Sequence, residues 1–183
     1  RGCGDGAAAI FVVGGSGDAE AEGGGGDRRG RAVALDADVE GAVALWDVAF
    51  DAPVFAVAAT AAPPGASAKV LVAVASGGEV HLVSGAAGER LLRIDAVAHP
   101  GVLYAVAFSP SGTALVASGS EVIDAFNVPA GTRRARLRLP RGTARECHLN
   151  TATVTALAFD GELTFVSGGW DAAVTVWQLP PPP

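Results

Sequence analysis

Apolar residues in this chain fall in short runs of four to seven, rich in Val, Leu and Phe and separated by Gly, Pro, Ser or Asp. Runs of that length with those punctuators predict strands and turns. Several runs do not alternate; Lys69-Val-Leu-Val-Ala-Val-Ala75 is apolar at every position after its lysine. A strand covered on one face alternates, whereas one covered on both faces need not. Stacked antiparallel sheets cover both faces of their middle members, so a radial array of small sheets is expected rather than one open sheet. Long amphipathic helices are not evident, because Val, Gly and Pro are too dense in the Ala-rich stretches.

The runs recur with a register. A Ser/Gly group closes an apolar run at Ser76-Gly77-Gly78, Ser118-Gly119-Ser120 and Ser167-Gly168-Gly169, the serines 42 and 49 residues apart. Gly14-Gly15-Ser16 reads as a weaker fourth copy. A large apolar residue follows each group, at Trp46, Val83, Phe126 and Trp177, and Gly88 and Gly131 lie five residues beyond Val83 and Phe126. A third phrase precedes the group: Phe55-Ala-Val-Ala, Leu103-Tyr-Ala-Val-Ala-Phe108 and Val154-Thr-Ala-Leu-Ala-Phe159. Fixed-period self-similarity of this kind marks a repeat architecture. The units divide at about 7–52, 53–95, 96–139 and 140–179. Residues 19–41, with four successive glycines at 23–26, read as a flexible insertion in the first unit. Glycine runs carry a high ordering entropy and no side chains to bury.

These phrases resemble the WD40-repeat family, whose members are β-propellers of four-stranded blades with about 40–45 residues per repeat. Ser167-Gly168-Gly169-Trp170-Asp171 through Trp177 is similar to the family's second strand, turn and third strand. Trp46-Asp47 matches the signature dipeptide, and Ser109-Pro110-Ser111-Gly112 resembles the turn after a first strand. The fold implied is all-β: a single partial propeller over 1–183, about four four-stranded antiparallel blades, open as given. The first unit begins in its second strand and the last ends after its third. The arc therefore presents two apolar blade faces, and a missing segment or another chain is expected to complete it.

The resemblance also implies a buried His–Ser–Asp–Trp hydrogen-bond network in a blade. Carried across, the last unit offers Ser167, Asp171 and Trp177, with Asn150 at the histidine position. The third unit offers His99 and Ser118, with Phe126 in place of Trp, and the second offers Ser76. At most one near-complete network is expected, and its role would be structural.

Charge narrows the partners. Residues 1–51 carry ten acids against four basic side chains, while the remainder balances, giving a net −6. Nucleic-acid binding needs a net basic surface and is not expected. No apolar run reaches membrane-spanning length, so no transmembrane helix is expected. Six arginines fall within residues 133–145, and Arg134, Arg136 and Arg138 alternate along one strand. They are either charges that guard an outer edge strand or a docking strip for an acidic partner. Trp170, in a tight turn on one rim, is either an interface anchor or a ring packed on the neighbouring turn.

Chemistry is sparse. Cys147 and His148 are adjacent, and neighbours on a strand face opposite ways; with Cys3, His81 and His99 scattered, no metal site is expected. Gly14-Gly15-Ser16-Gly17 lacks the spacing of a dinucleotide loop and a helix behind it. No serine lies in a nucleophile elbow. No cofactor is expected. The sequence reading is a non-catalytic, intracellular and cytoplasmic scaffold for protein–protein interactions. The alternative is an enzyme propeller with substrate or cofactor in a central pocket, for which the first strands, Ala-Val-Ala and Ala-Leu-Ala, are poor material.

Overall fold

The computed structural model describes residues 10–18, 28–36, 43–96, 102–119, 122–139 and 153–182. Every regular element among them is a strand. The first sheet holds β1 (Ile10–Asp18), β2 (Arg28–Asp36) and β3 (Val43–Phe50). The second holds β4 (Val54–Ala61), β5 (Val70–Ser76), β6 (Glu79–Ser84) and β7 (Arg90–Asp95). The third holds β8 (Ala105–Phe108), β9 (Ala114–Ser118), β10 (Val122–Asn127) and β11 (Thr132–Arg138). The fourth holds β12 (Val154–Phe159), β13 (Thr164–Gly169) and β14 (Val174–Gln178). Each sheet is an antiparallel meander in chain order. The first strands neighbour one another, β1 against β4, β4 against β8 and β8 against β12, and so form the hub of an unclosed fan.

Three apolar layers fill the gaps between sheets. Trp46, Phe50, Val72 and Val83 pack between the first and second. Leu71, Leu82, Phe108 and Phe126 pack between the second and third. Val116, Ile123, Phe165 and Leu179 pack between the third and fourth. The middle sheets are thus covered twice, which is why their central strands are apolar without alternation: β9 is buried at all five positions and β5 at six of seven. The last sheet is covered once. There β14 alternates, with Val174 and Val176 outward and Trp177 turned back toward the third sheet. Burial on both faces is what lets Val-Ala-Val-Ala sequences hold a sheet, since each buried CH₂ contributes about 0.8 kcal/mol.

Two of the three serines that carry the repeat, Ser76 and Ser118, occupy equivalent places, and Ser167 lies two residues short of the corresponding one. Ser76 and Ser118 end their second strands and pair with the first residues of the first strands, Val54 and Ala105, whereas in the last sheet Gly169 pairs with Val154 and Ser167 pairs with Leu157 inside β12. The glycine five residues after Val83 and Phe126 closes the next turn. Gly88 and Gly131 have φ of 69° and 67°, and their amides donate to the Ser84 and Asn127 carbonyls at 2.9 and 2.8 Å. Side chains rarely adopt that φ. The Ser109–Gly112 turn forms as expected, the Gly112 amide donating to the Ser109 carbonyl.

The first sheet departs from the sequence reading in three ways. Residues 28–36, inside the stretch expected to be a flexible insertion over 19–41, form β2 and pair with both β1 and β3. The apolar run Ala32-Val33-Ala34-Leu35 is ordinary strand material, and the glycines at 23–26 had masked it. Residues 19–27 and 37–42 lie outside the described residues. Consequently Gly14-Gly15-Ser16 sits in the innermost strand of its sheet, not in the second. Trp46 is also not equivalent to Trp177: Val83, Phe126 and Trp177 face the preceding sheet, whereas Trp46 faces the following one. A register shift beside Trp46, between Ala34 and Leu35, accompanies the change. Finally, the three described strands of the first sheet are its first three and not its last three, whereas the last sheet shows the three strands the reading gave it.

Candidate interaction surfaces

Of the buried network expected in the last unit, one leg is formed. The Trp177 indole N–H donates to Ser167 Oγ at 2.8 Å. Asp171 is exposed instead of buried, and its carboxylate accepts the Ala173 amide at 3.2 Å, closing the β13–β14 turn. Ser118 Oγ donates to the Val154 carbonyl at 3.3 Å, tying the third sheet to the first strand of the fourth. Ser76 Oγ does the same office at the entry to its own sheet, donating to the Ala52 carbonyl at 2.7 Å. His99 and Asn150 lie outside the described residues, as do Cys147 and His148.

The arginines of β11 do not form one strip. A bulge in the β10–β11 pairing interrupts their alternation, leaving Arg134 without a Cα partner on β10. Arg134 donates to the Pro180 carbonyl of the fourth sheet. Arg136 makes a two-pronged pair with Asp124, at 2.8 and 3.0 Å, and Asp124 is buried. That hydrogen bond holds the Arg136 guanidinium above its already high ordinary pKa. Arg138 is exposed on the edge strand. Two of the three cations are thus engaged within the chain.

Trp170 is different. It is 72% exposed at the β13–β14 turn. Its ring stands 6.2 Å from that of Tyr104, which precedes β8, and Tyr104 meets Phe55 of β4 edge-on at 5.9 Å. Phe55 is itself half exposed. Three aromatic rings from three consecutive sheets therefore line up on one rim, because first strands begin there and second strands end there. Phe55 and Tyr104 belong to the repeated phrase before each Ser/Gly group, and their alignment follows from equivalent sheets standing side by side. The sequence reading found Trp170 and missed the other two.

A second feature was also missed. Between the first and second sheets lies a cleft of about 530 Å³, lined among others by Phe50, Ser76, Glu79, His81, Arg90 and Arg93. Phe50 packs 5.0 Å from the His81 ring, and the Arg90 guanidinium lies 4.8 Å over the Phe50 ring. His81 Nε2 is 3.3 Å from Glu79, and Arg93 pairs with the same carboxylate. Burial pushes the His81 pKa below its ordinary value; Glu79 opposes the shift, Arg90 and Arg93 add to it, and Asp51 opposes it. Among the described residues no cluster of His, Cys, Asp and Glu could hold a metal ion. No helix among them is long and apolar enough to cross a membrane.

Comparison with known proteins places this geometry. The WD40 family model, described as WD domain, G-beta repeat, matches residues 141–178. The chain is similar to one chain of the crystal structure described as an active polycomb repressive complex 2 in the basal state, with a TM-score of 0.70 and 17% identity. That likeness covers 99% of this chain and 36% of the other, so this chain spans about a third of its length. As 568 solved chains match, the likeness is to an architecture and not to one activity. No curated protein matches the sequence. A WD40 repeat in the last sheet thus sits on a fan of sheets whose fold, over nearly the whole chain, is that of a solved structure.

Proposed function

We propose that the chain is part of a non-catalytic WD40-type scaffold that holds a protein partner on its aromatic rim, within a larger assembly. The observation that carries this reading is the row Phe55–Tyr104–Trp170. Exposed Trp and Tyr supply large contact area at low entropic cost and dominate binding energies at interfaces. A row drawn from three sheets is fixed by the packing beneath it, so it presents a preformed surface. The polycomb neighbour, itself a chain in a multi-protein complex, supports a partner of this kind. The outward faces of the first and last sheets, with Val174 and Val176 exposed, support completion of the propeller by further chain or by another subunit. An intracellular setting, with neither nucleic acid nor membrane as ligand, accords with the acidic first quarter and balanced remainder of the sequence.

The test is affinity capture with the chain and with its Trp170→Ala and Phe55→Ala variants. Both side chains are substantially exposed, so stability should change by less than about 0.5 kcal/mol. A partner held by the rim should be lost from both variants. Capture that is unchanged in both would remove the rim from the interface, and turnover of a small molecule without any protein partner would favour a catalytic propeller.

A further inference from the structure

The second and third sheets each have a fourth strand, β7 and β11, on their outer side, and the first sheet has none among the described residues. The connection explains part of this. The chain passes from β3 to β4 over residues 51–53, which leaves no length for a strand. Between β6 and β8, by contrast, it lays down β7. The place beside β3 that corresponds to β7 opens, at the Phe50 end, into the cleft of about 530 Å³. Its walls are Phe50 at the end of β3, the β5–β6 turn, and β7 from Arg90 to Arg93. An exposed strand edge of eight residues is a template for another strand.

We infer that this cleft is a docking site for an extended, acidic segment of a partner protein, which adds to β3 as the fourth strand of the first sheet. The charges decide its chemistry. Arg93 is already satisfied by Glu79, and lies 3.4 Å from Asp95. Arg90 is not: among the described residues no carboxylate forms an ion pair with it, and it rests over the Phe50 ring while donating to the Ala49 carbonyl. That carbonyl is reached from the open side of β3, and in an antiparallel strand the amide of the same residue points the same way. An incoming strand would give the Ala49 carbonyl a backbone N–H and release the Arg90 guanidinium to a carboxylate on the new strand. β7 places Arg90 at the opposite end from Glu79 and Asp95, and Asp51 stands near the latter end beside Ala52. The incoming acid therefore belongs at the Arg90 end.

The site is separate from the aromatic rim and can be tested separately. The probe is an acetylated (Glu-Val)₃ peptide, with (Lys-Val)₃ as its control, titrated into the chain while backbone amide exchange is followed by NMR. Saturable binding of the acidic peptide should slow exchange at Ala49 and at Asp47, two residues away on the same edge. Arg90→Gln should weaken that binding about tenfold, the effect of losing a charge-assisted hydrogen bond, and Trp170→Ala should leave it unchanged. Equal binding of the lysine peptide, or binding without protection of Ala49, overturns the inference. So does an Ala49 amide already protected in the free chain: if protection grows with concentration the occupant is a second copy, and if it does not the edge is filled from within.

Discussion

The contact between Trp46 and the β6–β7 turn can be isolated by one methyl group. Trp46 is buried between the first two sheets, and its indole N–H donates to the Gly85 carbonyl at 2.8 Å. A Cβ added at Gly88 would lie 2.8 Å from Trp46 Cγ and 2.9 Å from its Cβ, well inside contact distance. Gly88 also has φ of 69°, where an alanine costs about 1–2 kcal/mol. The stiffer unfolded chain returns about 0.4–1 kcal/mol. Overpacking against a ring held by its hydrogen bond adds about 1–3 kcal/mol. Gly88→Ala should therefore destabilise by about 2–4 kcal/mol, or roughly 5–15 °C in midpoint for a chain of this size. Gly65 is the control: its φ is 87° and nothing stands within 4 Å of the added methyl. Gly65→Ala should cost only the backbone part, about 1 kcal/mol. Denaturant titration of the two variants, and of Gly88→Ala in a Trp46→Ala background, separates the contributions. If the two glycine variants lose the same stability, or if removing Trp46 fails to relieve Gly88→Ala, the first sheet does not pack on this turn and its placement is wrong.

Ala172 has φ of 56° in an exposed turn, so Ala172→Gly should raise the denaturation midpoint, by about 0.5–1 kcal/mol. Burial lowers the His81 pKa in the folded state. The unfolded chain then takes up the proton first, and stability should fall as pH drops below about 6.5 toward the folded value; His81→Gln should flatten that slope in urea titrations from pH 7.5 to 5. Arg136→Ala strands the buried Asp124 carboxylate and should cost about 1–3 kcal/mol, whereas Arg138→Ala should stay within about 0.5 kcal/mol in the same assay.

What the sequence made legible followed from periodicity. Ser76 and Ser118, and the glycines five residues after Val83 and Phe126, are local requirements repeated by equivalent sheets, so they survive as spaced letters; Ser167 keeps the letter two residues short of the place. The unbroken run at 70–75 announced two-sided cover because burial on both faces removes any need for polar residues. The first sheet was harder to phase. Its second strand carries no serine of the Ser/Gly kind, ending at Asp36, and a glycine run stands just before it. Gly14-Gly15-Ser16 then set the phase one strand too far along; Trp46 does lie in a third strand, and a register shift turns its side chain over without altering the letters. The aromatic row and the cleft escaped for a different reason: Phe55, Tyr104 and Trp170 are 49 and 66 residues apart and meet only once three sheets are stacked. Arg136 illustrates the limit of alternation. Its spacing is that of a surface stripe, and nothing in one strand reveals that Asp124 waits beside it on the next.

In each sheet every strand hydrogen-bonds to the one just before or after it in the chain, with no crossover. Contacts of low sequence separation form early and fast, because little loop entropy is lost in closing them. Each leaflet can therefore zip from its own hairpins while the rest of the polypeptide is still leaving the ribosome. Docking of leaflet on leaflet, through side chains alone, becomes the later and slower event.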